Sequence, residues 1–221
     1  MRTIHPPILL LFAFSILVPG CKKDDPTPVS DLGYGYFPTR IGSWVEYNVD
    51  STRVTGTATT TWNYAIREVL TEEFTDNEGR PAQRLTRYLR DSASNWVPKD
   101  VWWQTRDAVR AERSEENKRR VKLVFPPRTT SVWNTNATNT NEEFELVYED
   151  IDEPWSANGL AFDSTLLVAS TYPSNLVFTK NQFERYAKHV GLVYREVDSS
   201  ETQSGSFERY RVVYTVTAYG Q

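Results

Sequence analysis

Hydrophobic and polar residues alternate along most of the chain beyond Tyr34. Val45, Tyr47 and Val49 interleave with Glu46, Asn48 and Asp50, and Trp62, Tyr64 and Ile66 with Asn63, Ala65 and Arg67. A period of two sends successive side chains to opposite faces of a pleated strand, so each run predicts a half-buried β-strand. Val121, Leu123 and Phe125 repeat the pattern, as do Phe144, Leu146 and Tyr148. The C-terminal run is the clearest, with Tyr210, Val212, Tyr214 and Val216 on one side and Arg209, Arg211, Thr215 and Thr217 on the other. Around Leu85 and Leu89 the pattern is less clean, because Gln83 and Arg87 share the face of the leucines. Together these runs predict about nine or ten strands, rich in the Val, Thr, Tyr and Trp that a pleated surface favours.

The connections read as short and polar: Asp76-Asn77-Glu78-Gly79 and Ser114-Glu115-Glu116-Asn117 separate strand patterns. Strands joined so tightly pair antiparallel, since a parallel crossover needs a dozen residues or more. No long stretch has a helical period, and Lys180 to Ala187, about two turns, is the best helix candidate. The Asn- and Thr-rich run from Asn134 to Asn141 reads as an exposed loop. Without internal repeats, residues 34–221 form one all-β domain, an antiparallel meander expected to make a strongly curved sheet or an open half-barrel.

The N-terminus follows another pattern. Arg2 precedes an apolar run from Ile8 to Val18, which as a helix spans about 16 Å, roughly half a hydrocarbon core. That is the length of a signal-peptide core, too short to span a membrane. The next residues, Val18-Pro19-Gly20-Cys21, resemble the lipobox of bacterial lipoproteins, with an aliphatic residue at −3, a small one at −1 and the obligatory Cys; Pro19 departs from the small residue usual at −2. The resemblance implies that residues 1–20 are removed and that Cys21, the chain's one cysteine, becomes an acylated N-terminus. The membrane is then a partner through the acyl chains, each buried CH2 contributing about 0.8 kcal/mol. Lys22-Lys23-Asp24-Asp25 resembles the charged export signal of surface lipoproteins of the Bacteroidota; a generic solvated linker is the other reading. Residues 21–33 form the tether, and residues 22–33 reach at most about 40 Å. Gly35-Tyr36-Phe37-Pro38, Gly42-Ser43-Trp44-Val45-Glu46-Tyr47 and Tyr186-Ala187-Lys188-His189-Val190-Gly191-Leu192-Val193 resemble segments of small β-rich Bacteroidota lipoproteins of unknown function. That likeness implies a long meander and transfers no site.

Composition narrows the chemistry. With 39% hydrophobic and 24% charged residues and a net charge of −4, the chain is neither a multi-span membrane protein, a collagen-like repeat nor a basic nucleic-acid binder. Cleavage after Gly20 removes Arg2 and no acid, so the mature chain is more acidic by one charge. There are one Cys, two His and one Met, and His5 leaves with the signal peptide. This excludes disulfide scaffolds, thiolate metal sites and Cys–His catalysis. His189 lacks the G-x-S-x-G elbow that presents a nucleophile, so it reads as a turn residue. Nothing points to a cofactor.

Glu149-Asp150-Ile151-Asp152-Glu153 supplies hard oxygen ligands, with Asp150, Asp152 and Glu153 as weak metal candidates or a glycosidic acid pair. A solvated loop before Pro154 is the competing and preferred reading. Arg110, Arg113, Lys118, Arg119, Arg120 and Lys122, interleaved with Glu112, Glu115 and Glu116, read as a solvated hairpin tip. Asp50-Ser51-Thr52, Asp91-Ser92-Ala93 and Asp163-Ser164-Thr165 match a short O-glycosylation pattern of exported Bacteroidota proteins.

Seven Trp, twelve Tyr and ten Phe make the chain aromatic-rich. Trp102 and Trp103 are adjacent, so in a strand they point to opposite faces. Trp96, Trp133 and Trp155 lie in or beside polar segments. These five rings either fill a core poor in Met or form an aromatic patch for a sugar or lipid. The expectation is a non-enzymatic, lipid-anchored binding or structural domain at the outer membrane, with surface exposure set by the export signal. Its ligand is a glycan, a lipid or an envelope protein. A carboxylate-based glycan hydrolase and a Lol-type lipid or lipoprotein carrier are the alternatives.

Overall fold

The computed structural model describes residues 31–171, 177–203 and 205–221. Cys21, Lys22, Lys23, Asp24 and Asp25 lie outside the described residues, and with them the acylation and export readings. After a 3-10 turn (Tyr34–Tyr36) the chain runs through β1 (Trp44–Thr55), β2 (Ala58–Thr75), β3 (Pro81–Arg90), β4 (Trp96–Arg106), β5 (Arg110–Glu115) and β6 (Lys118–Val124). It continues through β7 (Val132–Asn134), β8 (Glu145–Ala157), β9 (Leu160–Ser170), β10 (Phe178–Ala187), β11 (Gly191–Gln203) and β12 (Ser206–Gly220). All twelve strands belong to one antiparallel sheet in the order β6-β5-β4-β3-β2-β1-β12-β11-β10-β9-β8-β7. The first strand therefore pairs with the last, and the two edges are β6 and β7. Those edges meet. Val121 N donates to Thr135 O at 2.9 Å, and Val121 O accepts from Trp133 Nε1 at 3.2 Å and Thr135 Oγ1 at 2.9 Å. The sheet is a nearly closed all-β barrel.

Several local expectations are corrected. Among the described residues the strands number twelve, where about nine or ten were expected. Lys180 to Ala187 is part of β10, a strand, because Gln182, Glu184 and Tyr186 form its inward stripe and polar residues hide the period of two. The run after Asn134 is no free loop: Thr135 and Asn136 are buried, while Thr138 Oγ1 and Asn139 Nδ2 donate to Arg119 O at 2.9 and 2.7 Å. Glu149 to Glu153 lies within β8, whose pairing with β9 is broken by three irregularities between Tyr148 and Trp155. Ser114 and Glu115 end β5, and Glu116-Asn117 alone make the turn, both with positive φ (49° and 61°).

Antiparallel order sends alternate turns to opposite ends of the barrel. At one end lie the β2–β3, β4–β5, β6–β7, β8–β9 and β10–β11 connections and the N-terminal segment, which plugs the lumen. Tyr36 and Phe37 are buried there with Ala111, Leu123, Leu146, Leu166 and Tyr186. Gln104 Nε2 donates to Pro38 O at 2.8 Å, and Arg106 Nη1 to Tyr34 O and Phe37 O at 2.6 and 2.8 Å. His189, in the β10–β11 turn at φ 64°, donates its N–H to Gly35 O at 2.7 Å. On the outside, the β8–β9 tip folds back over the wall, Asn158 Nδ2 donating to Val216 O at 2.9 Å. The opposite end, with the β1–β2, β3–β4, β5–β6 and β11–β12 turns, carries no such plug among the described residues.

Candidate functional site

A barrel's width grows with its strand number, and eight strands already enclose about as much as side chains readily fill. Twelve leave a lumen that aliphatic residues alone do not bridge. Long charged and aromatic side chains fill it instead. Glu68, Arg87 and Asp100 sit in one cross-strand row, Arg113 faces Gln104, and Arg195 faces Glu184. Arg87 Nε donates to Glu68 at 3.0 Å and Nη1 to Asp100 at 3.1 Å, with its guanidinium carbon 3.7 Å from the centre of the Trp102 ring. Arg113 Nη1 reaches Glu68 at 3.3 Å and Nη2 reaches Gln104 Oε1 at 3.0 Å. A second cluster holds Lys122 between Glu184 (2.6 Å) and Glu115 (3.4 Å), with Arg195 donating to Glu115 at 3.2 Å. Tyr186 Oη donates to the other oxygen of Glu184 at 2.6 Å.

A buried carboxylate stays charged only if its surroundings replace the lost water. Burial alone would raise the Glu115 carboxyl, but Arg195, Lys122 and Arg113 outweigh it and hold it well below the usual range. Burial likewise works against Glu184, and Lys122 and Arg195 overcome it. Both groups stay ionised at neutral pH. A general acid for glycoside cleavage needs the reverse, a carboxyl held protonated. Neither is therefore held as a general acid, and both neutralise the buried Lys122 and Arg195.

Above this charged floor the unplugged end opens between two unlike walls. One is apolar: Trp62 (47% exposed), Leu89 (36%), Val97 (45%) and Tyr210 (44%) occupy inward-facing positions of β2, β3, β4 and β12. Their inward direction follows from register. Trp62 pairs with buried Ser51, Leu89 with buried Ile66, Val97 with Leu89, and Tyr210 with Arg53 two residues beyond Ser51. The other wall is polar and encloses a hollow of about 410 Å3 lined by Arg120, Asn136, Asn141, Glu142, Lys180 and Gln182, among others. A neighbouring hollow of about 460 Å3 shares Lys180 and reaches Arg53, Ser199 and Tyr210. Both volumes fall in the range of about 300–1,000 Å3 usual for small-molecule sites.

The five predicted tryptophans do not converge. Trp102 and Trp133 point inward and are buried, Trp102 Nε1 donating to Glu116 at 3.2 Å. Trp103, on the opposite face as adjacency requires, packs edge-on against Phe74 at 6.4 Å. Trp96 lies outside between Arg67 and Arg90, the former also covering Trp44. Trp44 in turn lies over Gly220, where a Cβ would come within 2.7 Å of the indole. Trp155 stacks on Phe162 at 6.0 Å and meets Tyr194 at 6.0 Å, lining an outer groove of about 230 Å3 with Leu167, Phe183, Arg185 and Glu196.

The predicted acids also separate. Asp150 pairs with Arg185 at 2.8 Å, and the Glu153 carbonyl accepts from Thr165 Oγ1 at 2.7 Å. Asp152, at φ 61°, is held by Lys188 (2.7 Å), Tyr36 Oη (2.6 Å) and Ser164 Oγ (2.7 Å). Those three contacts lower its carboxyl to about 2. Among the described residues no three His, Cys, Asp or Glu side chains are grouped to hold a metal ion. Lys188 also grips Asp31 at 2.9 Å, so this cluster fastens the entering chain to the plugged end.

Within the O-glycosylation matches, Ser51 is buried inward, Ser164 is engaged by Asp152, and Ser92 sits exposed in the β3–β4 turn. The expected solvated hairpin tip is corrected most strongly. Arg113, Glu115 and Lys122 face the lumen, and Glu112 is fully buried on the outer face beneath Arg80 (2.9 Å) and Arg110 (2.6 Å). Sequence reasoning noticed Trp62 and Tyr210 as strand residues and Arg120 as part of a charge run, without assigning any of them to a site.

No known protein family and no curated protein matches the chain. Two solved structures resemble it. One is a candidate lipoprotein from Parabacteroides distasonis, 12% identical, the likeness covering 84% of this chain and 98% of that one at a TM-score of 0.39. The other is a candidate exported protein with a YmcC-like fold from Bacteroides fragilis, 9% identical over 84% and 98% of the two chains at a TM-score of 0.37.

Proposed function

We propose that this chain is a lipid-anchored envelope protein that binds a glycan at the unplugged end of its barrel. The anchor rests on Cys21 in its lipobox-like setting, with Lys22 to Asp25 as the export signal and the outer membrane as destination. The observation that carries glycan binding is the exposure of Trp62 and Tyr210 on inward-facing positions of the open end. Large rings placed toward a lumen normally bury themselves; here they line an entrance opposite a wall of amides and charges. That combination meets the apolar face of a sugar ring on one side and its hydroxyls on the other. An acyl chain needs an enclosed apolar tunnel, and the ionic floor beneath the entrance does not offer one. Glycan recognition is thus favoured over the lipid carrier.

The test is a glycan array read with the mature domain and with Trp62→Ala and Trp155→Ala variants. Binding abolished by Trp62→Ala and kept by Trp155→Ala supports the open end. The reverse result moves the site to the outer groove, and silence across the array overturns glycan recognition. For the anchor, cells fed labelled palmitate should label the parent and leave Cys21→Ser unlabelled and released from the membrane fraction.

A further inference from the structure

The polar wall of the open end holds a cation that pairs with no carboxylate among the described residues. Arg120 stands opposite Arg113 in the β5–β6 register, so its side chain turns to the lumen. The cations deeper in the lumen are matched: Arg87 with Glu68 and Asp100, Arg113 with Glu68, Lys122 with Glu115 and Glu184, and Arg195 with Glu115. Arg120 makes no ion pair with any described residue, and its Nε, like those of Arg113 and Arg195, is shielded from solvent without a hydrogen-bond partner. A buried donor left unpaired is costly, and a guanidinium presents a planar fork shaped for two oxygens of one anion. Glu115, an acid whose charge feels Arg120, already answers Arg195 and Lys122.

The rest of the hollow defines what carries the anion. Thr140 and Asn141 line it with side chains that take no hydrogen bond from described residues, and Gln182, Lys180 and the acid Glu142 are among the other lining residues. Amides and a hydroxyl suit vicinal hydroxyls better than an acyl chain. We propose that this hollow binds an acidic saccharide, with Arg120 clasping the carboxylate or phosphate oxygens and Thr140 and Asn141 meeting the ring hydroxyls. The proposal deepens the open-end reading and rests on it.

Inorganic phosphate and trigalacturonate are the probes, titrated into the 15N-labelled mature domain while the Arg120 Nε–H resonance is followed. That resonance is assigned by its loss in Arg120→Gln, and Arg120→Lys, which keeps the charge, checks that the barrel still folds. Phosphate should shift the resonance, and trigalacturonate should bind roughly tenfold more tightly than both phosphate and its own methyl ester. Arg120→Gln should lower trigalacturonate affinity by a similar factor, with Arg120→Lys falling between. An Arg120 resonance that answers neither probe overturns the anion site. Phosphate binding as tightly as trigalacturonate overturns the saccharide and leaves a bare-anion site. Neutral glycans that need Trp62 and ignore Arg120 would leave the open-end reading standing and sink this one alone.

Discussion

At the scale of the residue, the lumen depends on charges that were brought inside and then neutralised. Lys122 and Glu184 are both fully buried and 2.6 Å apart. Removing one partner strands the other without water, so Glu184→Leu is expected to lower unfolding free energy by about 3–5 kcal/mol in urea titrations. The double variant Lys122→Met/Glu184→Leu should be less destabilised than the two single changes added, by about 0.5–3 kcal/mol of coupling. Additive losses would mean that the pair is not a unit. The same acids set the response to pH. Glu115, Glu184 and Asp152 are held below their unfolded values, so the folded state releases their protons more readily than the unfolded chain. Their stabilisation is present in full above the unfolded carboxylate range of about 4 and is lost as pH falls toward their folded values. Stability contributed by these groups should therefore be flat from pH 7 to about 5 and fall below about 4. Asp152→Asn should remove the part of that decline that lies nearest pH 2.

At the scale of the element, the seam between β6 and β7 is the weakest joint of the sheet. Three of its hydrogen bonds converge on Val121, one of them from the Trp133 indole, and Thr138 and Asn139 add two to the Arg119 carbonyl. Trp133→Phe keeps an aromatic ring but removes that donor, with an expected cost of about 1–3 kcal/mol. Hydrogen exchange should show the Val121 amide losing protection well before the amides of β1; equal loss in both would mean that the seam does not open separately. Legibility in the sequence varied from strand to strand. β1, β2 and β12 were legible because Val, Tyr and Trp mark their inward faces. In β5, β6 and β10 the inward stripe contains Arg113, Glu115, Lys122 and Glu184, so burial no longer coincides with hydrophobicity. A rule that reads charge as solvent exposure places these residues outside, and it turned a lumen wall into a hairpin tip. One overlooked signal was available. Asn158-Gly159 takes positive φ at both residues (51° and 79°), the requirement of a tight hairpin turn, and its two letters alone place the β8–β9 boundary. The open-end site was less legible still, because Trp62, Tyr210 and Arg120 are far apart in the chain and only register brings them to one entrance.

At the scale of the whole molecule, closure joins the two ends of the chain. β1 pairs with β12 along its full length, while the residues at the two ends hold neighbouring positions of one turn. Lys188 pairs with Asp31, and the side chain of Gln221 donates to the carbonyl of His189. The described ends of the barrel are thus close enough to be joined by a short linker. The β6–β7 connection, by contrast, is exposed from residue 128 to 130 and crosses the joint with the fewest bonds. A circular permutant that opens the chain between Thr129 and Thr130 and links residue 221 to residue 31 keeps every strand pair of the sheet. It also makes the β1–β12 pairing local, where the natural chain must bring its two ends together before that pairing forms. Folding rate falls as contacts become more distant in sequence, because loop closure is opposed by entropy before the contacts compensate for it. The permutant should therefore fold in a single transition and faster than the natural order in stopped-flow refolding, with its unfolding rate little changed. Its open end is untouched by the new linker, so Trp62-dependent glycan binding should persist. A permutant that refolds more slowly would show that the rate-limiting step lies in the β6–β7 seam instead of in the meeting of the first and last strands.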